Sequence, residues 1–488
     1  MSDTFFAIDR TARGSLQARL RQKITEAIAG GVLGEGEPLP STRTLAEQLG
    51  ISRNTVTLTY QELVDDGYLT TSERRGFFVA HDVMPPSAAT AEPRRGGSLD
   101  WKARLGLLPS IHRNTVVPSN WREKRYTFNY GQHDRTIFPI ASWRKCSREA
   151  LARNEVHDWT VDYVDADDPL LIDQFRRRVL PRRGFAAAED QILVTVGAQH
   201  ALFLIAQILV RPGMVVAMEN PTYVDARNIF RLFGAEVRPI PVDHGGLVVD
   251  ERLAGVDLVY VTPSHQSPTT VTMSAERRQA LLAAARAHDF VVIEDDYDTE
   301  TRFGVRPNPA LKSHDTEGRV VYFTSLSKLL SPGLRVGFVV GHRDLVREIR
   351  VLRRLSLRHP PANNQRTIAL FLRGGHYETL LRRFHREYET RWRTLGAAIA
   401  RHLPSCTVAP SEGGSSYWVE GPEGLDADEL ARVAFDRDVV IEPGTIYFTG
   451  PNPPRRFFRL GFSSIAPADI EPGIAALARI MRETFGVC

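Results

Sequence analysis

The chain has 488 residues, of which 42% are apolar and 25% are charged, an ordinary globular composition. A chain of this length is expected to form two or more domains. The formal net charge of +4 is too small to predict a nucleic-acid partner by itself, so any argument for DNA binding depends on where the charges lie.

Several classes of protein are excluded by the sequence. It has no run of about 18 apolar residues, which a transmembrane helix requires. The first residues, Met1–Phe5, lack the basic segment and apolar core of a secretory signal. The three cysteines, Cys146, Cys406 and Cys488, have neither metal-ligand spacing nor the even number of a disulfide framework. We therefore expect a cytoplasmic protein without a metal site.

Composition divides the chain into three parts. Residues 1–80 are nearly neutral, with nine Lys or Arg and ten Asp or Glu. Residues 81–125 are basic, with eight Lys or Arg and four Asp or Glu, and their Pro-rich and Gly-rich stretch predicts a linker. Residues 126–488 alternate short apolar runs with amphipathic segments and are expected to form a separate domain.

The first part has the pattern of a helix-turn-helix followed by a wing. Apolar residues spaced by four predict a helix over 16–29. Ser52 is an N-cap residue for a helix over 53–66, and a helix over 42–49 precedes it across a short turn. Two short apolar stretches then flank a polar turn that ends at Gly76, which predicts a two-stranded wing.

The last of these helices carries side chains suited to base recognition. Arg53, Asn54 and Thr55 lie on its first turn, which faces base edges when such a unit docks in the major groove. Arginine pairs with guanine and asparagine with adenine, while Arg43 is placed for a phosphate. The alternative is that Ser52 and Thr55 only cap the helix and that Arg53 is a solvated charge. The complete series of helices and wing favours DNA contact.

Residues 13–80 resemble the GntR-type winged-helix DNA-binding domain. The likeness is carried by Leu39–Ala46, Leu49–Val56, Tyr60, Leu63 and Gly67–Leu69. The resemblance implies a double-stranded DNA operator as partner. The implied DNA-binding residues are Arg43, Ser52, Arg53, Asn54, Thr55 and the wing glycine Gly76.

Apolar runs in the third part indicate the strands of one sheet. The clearest examples are residues 191–196, 215–218, 258–261, 290–293, 320–323 and 337–340. Amphipathic helices separate these runs. Short buried runs alternating with helices predict an α/β domain with a mainly parallel sheet and helices on both faces.

Lys328 is the strongest candidate for covalent chemistry. Ser325 and Ser327 flank it, and Arg335 follows shortly afterwards. A lysine that forms an imine must lose its proton, which burial or a cationic neighbour favours. The hydroxyls and the guanidinium suit a phosphate. The pattern therefore suits an aldehyde cofactor that bears a phosphate, against the alternative of a surface lysine in a Ser-rich loop.

Asp295 favours the cofactor interpretation. It follows an apolar run, at the carboxyl end of a predicted strand, where open α/β sheets bind ligands. A carboxylate there can pair with a protonated pyridine nitrogen, and Tyr297 can bond a ring hydroxyl. The alternative is that Asp295 caps a turn.

Two further segments extend the candidate site. Residues 194–202 predict a strand, a glycine turn and a helix start, where Ala198 and Gln199 offer free amides to a phosphate. Tyr223 follows the next predicted strand and can stack on a planar cofactor. A half-buried structural tyrosine is the alternative for Tyr223.

Residues 126–488 resemble the fold-type-I, aspartate-aminotransferase-like family that uses pyridoxal 5′-phosphate (PLP), which has a smaller C-terminal subdomain. The resemblance implies Lys328 as the Schiff-base lysine, Asp295 at the pyridine nitrogen, Tyr297 at the ring oxygen and Tyr223 on the ring face. It places the following residues at the phosphate: Ala198, Gln199, Ser325, Ser327, Arg335 and, across to the partner subunit, Tyr163. Arg459 matches the arginine that holds a substrate carboxylate, and a guanidinium also suits a sulfonate.

One motif departs from that family. The family often has Asn-Pro-Thr-Gly, whereas this chain has Ser264–Thr270, with no asparagine before Pro268 and no glycine after Thr269. His265 or Gln266 is then the candidate replacement at the ring oxygen.

A GntR-type winged helix joined by a linker to an aminotransferase-like domain is the layout of the MocR-type transcriptional regulators. The resemblance implies a homodimer, with its subunits arranged head to tail, and a small amino-group effector. On this resemblance, an effector amine is expected to displace Lys328 by forming an external aldimine, so that the domain senses its ligand rather than turning it over. Effector classes in that family include GABA, taurine, ectoine-pathway amines and PLP.

Two other hypotheses remain open at this point. The first is an active PLP-dependent aminotransferase with a vestigial N-terminal module, because every group needed for imine exchange is retained. The second is a PLP-free regulator that kept only the scaffold. The retained Lys328, Asp295, Ser325 and Arg335 disfavour it.

Overall fold

The chain divides between Gly106 and Leu107 into two compact units. The boundaries that composition marks, after residues 80 and 125, stay predictions. The computed structural model describes residues 14–72, 75–81, 99–131, 134–162, 164–298, 300–301, 303, 308–326, 328–411 and 413–487. Two candidate cofactor residues, Tyr163 and Ser327, lie outside the described residues, and their roles also stay predictions.

The first unit contains three helices and a two-stranded antiparallel sheet. These are α1 (Leu16–Ala29), α2 (Thr42–Leu49), α3 (Arg53–Asp65), β1 (Leu69–Ser72) and β2 (Gly76–Val79). Each helix begins where the hydroxyl of Ser15, Ser41 or Ser52 accepts a backbone N–H at 3.1 to 3.2 Å. A cap of this kind stabilises a helix by about 1 kcal/mol.

An apolar core of its own holds the first unit together. The inner face of α3 contributes Val56, Tyr60 and Leu63, all fully buried. The Tyr60 hydroxyl donates to the Pro40 carbonyl at 3.0 Å, and its ring meets the Phe77 ring edge-on at 4.9 Å. Burying a large apolar side chain contributes about 1.5–3 kcal/mol. The inner face of α3 therefore fixes the helix, and its outer face remains exposed.

The second unit is an α/β domain with a smaller subdomain. Its strands are β3 (Tyr126–Thr127), β4 (Ile192–Thr195), β5 (Val215–Asn220), β6 (Glu236–Asp243), β7 (Gly246–Leu247), β8 (Leu258–Val261), β9 (Val291–Asp295), β10 (Val320–Ser325), β11 (Gly337–Val340), β12 (Thr407–Val408), β13 (Ser416–Glu420), β14 (Val439–Val440), β15 (Glu442–Pro443) and β16 (Phe457–Gly461). Its helices are α4 (Ile140–Ala150), α5 (Arg153–Trp159), α6 (Pro169–Gln174), α7 (Gly197–Leu209), α8 (Val224–Leu232), α9 (Ala275–His288), α10 (Arg343–Leu357), α11 (Ala362–Arg373), α12 (His376–His402), α13 (Ala427–Asp436) and α14 (Pro467–Phe485).

An eight-stranded sheet forms the centre of this unit, in the order β4-β11-β10-β9-β8-β5-β6-β7. The pairs from β10 through β9, β8 and β5 to β6 are parallel. β11 is antiparallel to both of its neighbours and forms a hairpin with β10. Parallel strands bring their carboxyl ends to one edge, where such sheets bind ligands. The loop of the hairpin carries Lys328 and Arg335 to that edge.

The C-terminal subdomain has a four-stranded antiparallel sheet in the order β12-β13-β16-β15, with α12 packed against α14. β16 carries Arg459, which lies opposite Trp418 of β13. The segment after β3 crosses this sheet, because the Gly461 N–H donates to the Phe128 carbonyl at 2.6 Å. Residues just after Phe128 are thereby brought next to Arg459.

The predicted fold class is confirmed. The winged helix, the mainly parallel sheet and the smaller C-terminal subdomain are all present, and each of the six apolar runs coincides with a strand of the sheet. Within the described ranges, no helix combines the length and apolar character needed to cross a bilayer. The same ranges hold no group of three or more His, Cys, Asp or Glu side chains arranged to bind a metal ion.

Candidate cofactor and DNA-binding sites

A cavity of about 190 Å³ lies at the carboxyl edge of the sheet. Eight of the candidate cofactor residues line it: Ala198, Gln199, Tyr223, Asp295, Tyr297, Ser325, Lys328 and Arg335. Three residues that we did not predict complete the wall: Tyr130, Leu202 and Ser267. Side chains from distant parts of the chain thus converge on one space large enough for part of a planar cofactor.

Asp295 ends β9 with one oxygen bonded and one free. Its Oδ2 accepts a hydrogen bond from the Tyr260 hydroxyl at 2.7 Å, whereas Oδ1 is buried and has no partner among the described residues. Burial raises the pKa of this carboxyl to about 7, partly offset by the Tyr260 bond and by the charge of Lys328. A buried acceptor without a donor is costly. A ring N–H⁺ from a bound cofactor would satisfy it.

The two carboxyls beside Asp295 are already occupied. Side chains alternate along a strand, so Glu294 and Asp296 point away from Asp295. Glu294 accepts the backbone N–H groups of residues 311 and 312, at 2.7 and 2.8 Å. Asp296 is clamped by the Arg183 guanidinium through two bonds of 2.7 and 3.1 Å. Of these three acids, Asp295 is the one that lines the cavity.

Tyr297, the predicted partner of the ring oxygen, lines the cavity together with Ser267. The Tyr297 hydroxyl is buried and has no partner among the described residues. Gln266 does not line the cavity, because its amide group donates to the Pro221 and Ser267 carbonyls at 2.7 and 2.8 Å and accepts from Thr269. His265 does not line the cavity either. Ser267, directly before Pro268, stands where the family motif has asparagine.

The start of α7 and Arg335, both predicted to bind a phosphate, lie together at one end of the cavity. Among the described residues, no side chain caps α7 after Val196, so the first amides of this helix are available to an anion. Gly197 adopts a φ of +79°, and a Cβ there would lie 2.9 Å from Arg335 Nη2. Arg335 donates to the Val196 carbonyl at 3.0 Å, which holds the guanidinium over the helix start. These groups form a cradle that suits a phosphate.

Tyr223 is held in place through its hydroxyl. Its Oη lies 2.9 Å from Gln199 Oε1 and 3.0 Å from Asp225 Oδ2. Burial, with the nearby Asp225 charge, raises the pKa of this phenol far above its usual value, so it stays protonated. The fixed ring lines the cavity and can stack on a planar cofactor.

Tyr130, which the sequence reasoning missed, has its ring in contact with both Lys328 and Arg459. Lys328 Nζ is 4.0 Å from the centre of its ring, and Arg459 Cζ is 3.2 Å from it. Aromatic residues at 126, 128 and 130 alternate along the chain, a pattern typical of a strand-like segment with one buried face. That pattern could have marked Tyr130 as a packed residue.

Arg459 lies next to the cavity but does not line it. Its side chain is 1% exposed, its Nε donates to Ser416 Oγ at 2.9 Å, and its Nη2 has no partner among the described residues. Burial disfavours its charge, but the Tyr447 and Tyr130 phenols and the Glu442 carboxylate together raise its pKa. The guanidinium is a buried cation with an unused donor. The observed position leaves its role toward an effector acid a prediction.

The candidate DNA-binding residues lie on an exposed surface of the first unit. Arg53 and Asn54 are exposed on the first turn of α3. The Ser52 hydroxyl accepts the Thr55 N–H at 3.1 Å and contacts the Thr55 hydroxyl at 2.8 Å, so Ser52 caps the helix and Thr55 holds the capping side chain. The exposed face continues through residues 57, 58 and 61, of which Leu58 is 47% exposed.

The two remaining candidates for DNA contact lie outside α3. Arg43, on α2, is exposed and forms an ion pair with Glu47 at 3.0 Å. Gly76 begins β2 at the wing with a φ of +106° and is also exposed. All six candidates therefore belong to one module, and their contacts with DNA stay predictions.

Family models match both units. Residues 16–79 match the model described as bacterial regulatory proteins, gntR family, and residues 141–477 match the model for aminotransferase class I and II. A winged helix-turn-helix in one chain with an aminotransferase-type domain defines a class of protein, a DNA-binding regulator built on an aminotransferase fold.

Individual relatives match along most of the chain. HTH-type transcriptional regulator TauR of Rhodobacter capsulatus is 44% identical over 470 residues, covering 96% of this chain and 97% of that protein. The probable rhizopine catabolism regulatory protein MocR of Rhizobium meliloti is 32% identical, covering 96% and 94%. The structure of LysN, α-aminoadipate aminotransferase from Thermus thermophilus complexed with N-(5′-phosphopyridoxyl)-L-leucine, is 26% identical, with a TM-score of 0.71 over 80% of this chain and 100% of that chain. The chain belongs to the MocR family of transcriptional regulators.

Proposed function

We propose that this protein is a PLP-dependent transcriptional regulator that senses a small amino-group metabolite at Lys328. The observation that carries the proposal is the convergence, around one cavity, of Lys328, the unpartnered oxygen of Asp295 and the Arg335 cradle. The same chain carries a winged helix with an exposed recognition face. Cofactor chemistry and DNA binding are thereby joined in one molecule.

The residues of the cavity fit PLP group by group. Bound PLP supplies an aldehyde carbon that bonds covalently to a primary amine, either of lysine or of an effector. Asp295 would hold the proton of the ring nitrogen, and Tyr297 would donate to the ring oxygen. The first amides of α7, with Arg335, would bind the phosphate. Tyr223 would limit the tilt of the ring.

The remaining residues of the site suit the effector. Lys328 provides the amine that an effector amine would replace, and Arg459 would bind an acid group of that effector. A ligand can shift the protein between two arrangements only if it binds them with different affinity. Exchange of a protein amine for an effector amine provides such a difference. We further propose a head-to-tail homodimer, because paired winged helices read paired half-sites.

Replacing Lys328 tests the proposal. Lys328→Ala and Lys328→Arg should each abolish effector-dependent operator binding, since neither can form a covalent bond to PLP. The exposed Lys145→Ala is the matched control and should respond like the native protein. The effector comes from an absorbance screen of amines and amino acids on the PLP-loaded protein, and operator binding is followed by fluorescence anisotropy. An unchanged response in both Lys328 variants would sink the proposal, as would borohydride trapping and peptide mapping that located PLP elsewhere.

The cavity also supports a second candidate function, that of an active aminotransferase. Eight of the candidate cofactor residues line it, and the domain matches an aminotransferase model. Mixing the PLP-loaded protein with an amino acid and a keto acid separates the two functions. Steady multiple turnover would favour the enzyme, whereas a spectral change that stops after one equivalent would favour the sensor.

A further inference from the structure

The ring of Tyr130 lies against Arg459 and also borders the cofactor cavity. Among the described residues, Tyr130 lines the cavity and Arg459 does not. The ring centre lies 3.2 Å from the Arg459 guanidinium carbon, so the ring covers the cation. Arg459, on β16, is 1% exposed. With the ring in this position, the face of the guanidinium that it covers is closed to an acid group in the cavity.

The covered guanidinium still has capacity to bind an anion. Its Nε is used by Ser416, and its Nη1 makes a long contact of 3.5 Å with the Tyr447 hydroxyl. Its Nη2 is buried without a partner among the described residues. A carboxylate or sulfonate would satisfy this donor with a charge-assisted bond, which is stronger than the contact with an aromatic face.

The backbone of Tyr130 is fixed, so the ring is the part that can move. A Cβ on Gly461 would lie 2.8 Å from Tyr130 Cα and 2.7 Å from the Asn129 carbonyl, so the two chain segments are in close contact. The Gly461 N–H also donates to the Phe128 carbonyl. Rotation about the side-chain torsions of Tyr130 can nevertheless carry its ring away, since the ring borders the open cavity.

We propose that Tyr130 is a specificity-determining gate: its ring covers Arg459 at rest and swings aside when a carboxylate or sulfonate of the effector binds the guanidinium. The inference rests on the proposed function, in which Arg459 holds the acid group of the effector. An amine without an acid group cannot form an ionic bond with Arg459 and therefore leaves the gate closed. The gate therefore selects effectors that carry an amine and an acid together.

Removing the ring tests the gate with anions that carry no amine. Propanoate and ethanesulfonate are titrated calorimetrically into the PLP-loaded full-length protein, so that no bond to PLP is formed. Tyr130→Ala should bind both anions about tenfold more tightly than the native protein, because a cation–π contact no longer competes for Arg459. Tyr130→Phe keeps the ring and should bind them as weakly as the native protein.

A double variant assigns the gain to Arg459. The tighter binding should disappear in Tyr130→Ala/Arg459→Gln. The gate is refuted if Tyr130→Ala binds no more tightly than the native protein, if Tyr130→Phe gains as much, or if the gain persists in the double variant. Tyr130→Val replaces Tyr130→Ala if thermal unfolding shows that the alanine variant does not fold. Borohydride trapping at Lys328 on the same variants reports the proposed function separately, since it does not depend on the gate.

Discussion

The protonation state that the cavity favours for the Asp295 carboxyl should differ before and after a cofactor binds. In the cavity without a cofactor, burial favours its protonated form and raises its pKa from 3.8 to about 7. A ring N–H⁺ favours the charged form instead. The charged carboxylate thus destabilises the empty fold at neutral pH, whereas under the proposed function it would stabilise the loaded one. Binding sites commonly contain groups whose pKa values are shifted in this way.

The variant Asp295→Asn tests both effects, because asparagine carries no ionisable group at this position. Between about pH 4 and pH 7 the unfolded chain holds fewer protons at this position than the folded chain, so the unfolding free energy of the cofactor-free protein falls as pH rises. The rise of the Asp295 pKa from 3.8 to about 7 corresponds to a loss of at most about 4 kcal/mol of unfolding free energy. The asparagine variant avoids this loss. It should therefore be more stable than the native cofactor-free protein at about pH 8, with a smaller difference at about pH 5.

Denaturant unfolding at the two pH values measures this effect. The PLP-loaded proteins should show the reverse order, because asparagine loses a charge-assisted bond worth about 1.5–3 kcal/mol to the pyridine nitrogen. Identical pH profiles for the two cofactor-free proteins would show that the shifted pKa does not belong to Asp295.

At the residue scale, sequence reasoning located the cavity residues that lie near strand ends better than those that other segments bring to the cavity. Lys328, Asp295 and Arg335 follow strand ends, and the α/β topology brings strand ends together. Tyr130 and Ser267 have no such signal. Tyr130 reaches the cavity because the segment after β3 crosses Gly461, a close approach that depends on tertiary packing. The use of Gln266 within its own loop likewise depends on side-chain packing.

At the scale of single elements, the two faces of α3 have different roles. The inner face packs on the core through Val56, Tyr60 and Leu63, and the outer face exposes Arg53 and Asn54. The cap formed by Ser52 fixes where the helix starts and therefore where its exposed first turn points. A helix positioned in this way can present side chains to a groove without reorganisation.

Arg53→Ala tests this arrangement. If Arg53 pairs with a guanine edge, its loss should cost about 1–3 kcal/mol of operator affinity and relax specificity at one base pair. Fluorescence anisotropy with the operator and with single-base variants measures both effects. Lys23→Ala, on α1, is the control and should leave affinity nearly unchanged. An equal loss on operator and on unrelated DNA would instead indicate a phosphate contact.

Helix boundaries were easier to predict than strands. α1 and α2 occupy the predicted residues, and α3 ends one residue early, because serine caps and glycine stops are local signals. The six apolar runs coincide with strands because central parallel strands are buried on both faces. β6 was not among the predicted strands, because it is partly exposed and contains Pro239 and Pro241. The short strands of the C-terminal subdomain carry no comparable local signal.

At the scale of the whole molecule, the first unit has the features of an independently folding module. Its core residues come from its own helices and wing, including Leu20, Ile24, Leu45 and Val79. We expect a fragment of residues 1–80 to show cooperative thermal unfolding by circular dichroism. Its operator affinity should be lower than that of the full-length protein by about 100-fold or more, because a linked pair of modules gains from the second contact.

Anisotropy titrations of the fragment and the full-length protein make this comparison. A fragment that folds and binds as tightly as the full-length protein would contradict the proposed homodimer. The pairing of two chains could not be deduced from composition, because it depends on which surfaces of the second unit meet.

The hairpin of β10 and β11 limits which sequence changes the protein can accept in the loop between these strands. Lys328 and Arg335 share one loop, whose stems pair Ser325 with Gly337. A Cβ at Gly337 would lie 2.5 Å from the Thr324 carbonyl oxygen, so the two strands are too close at this point to accommodate a side chain. This close approach fixes the backbone where the loop joins β11. Natural variants should accept changes of side chain there more readily than insertions or deletions, because one added residue would move either the amine or the guanidinium out of register with its target.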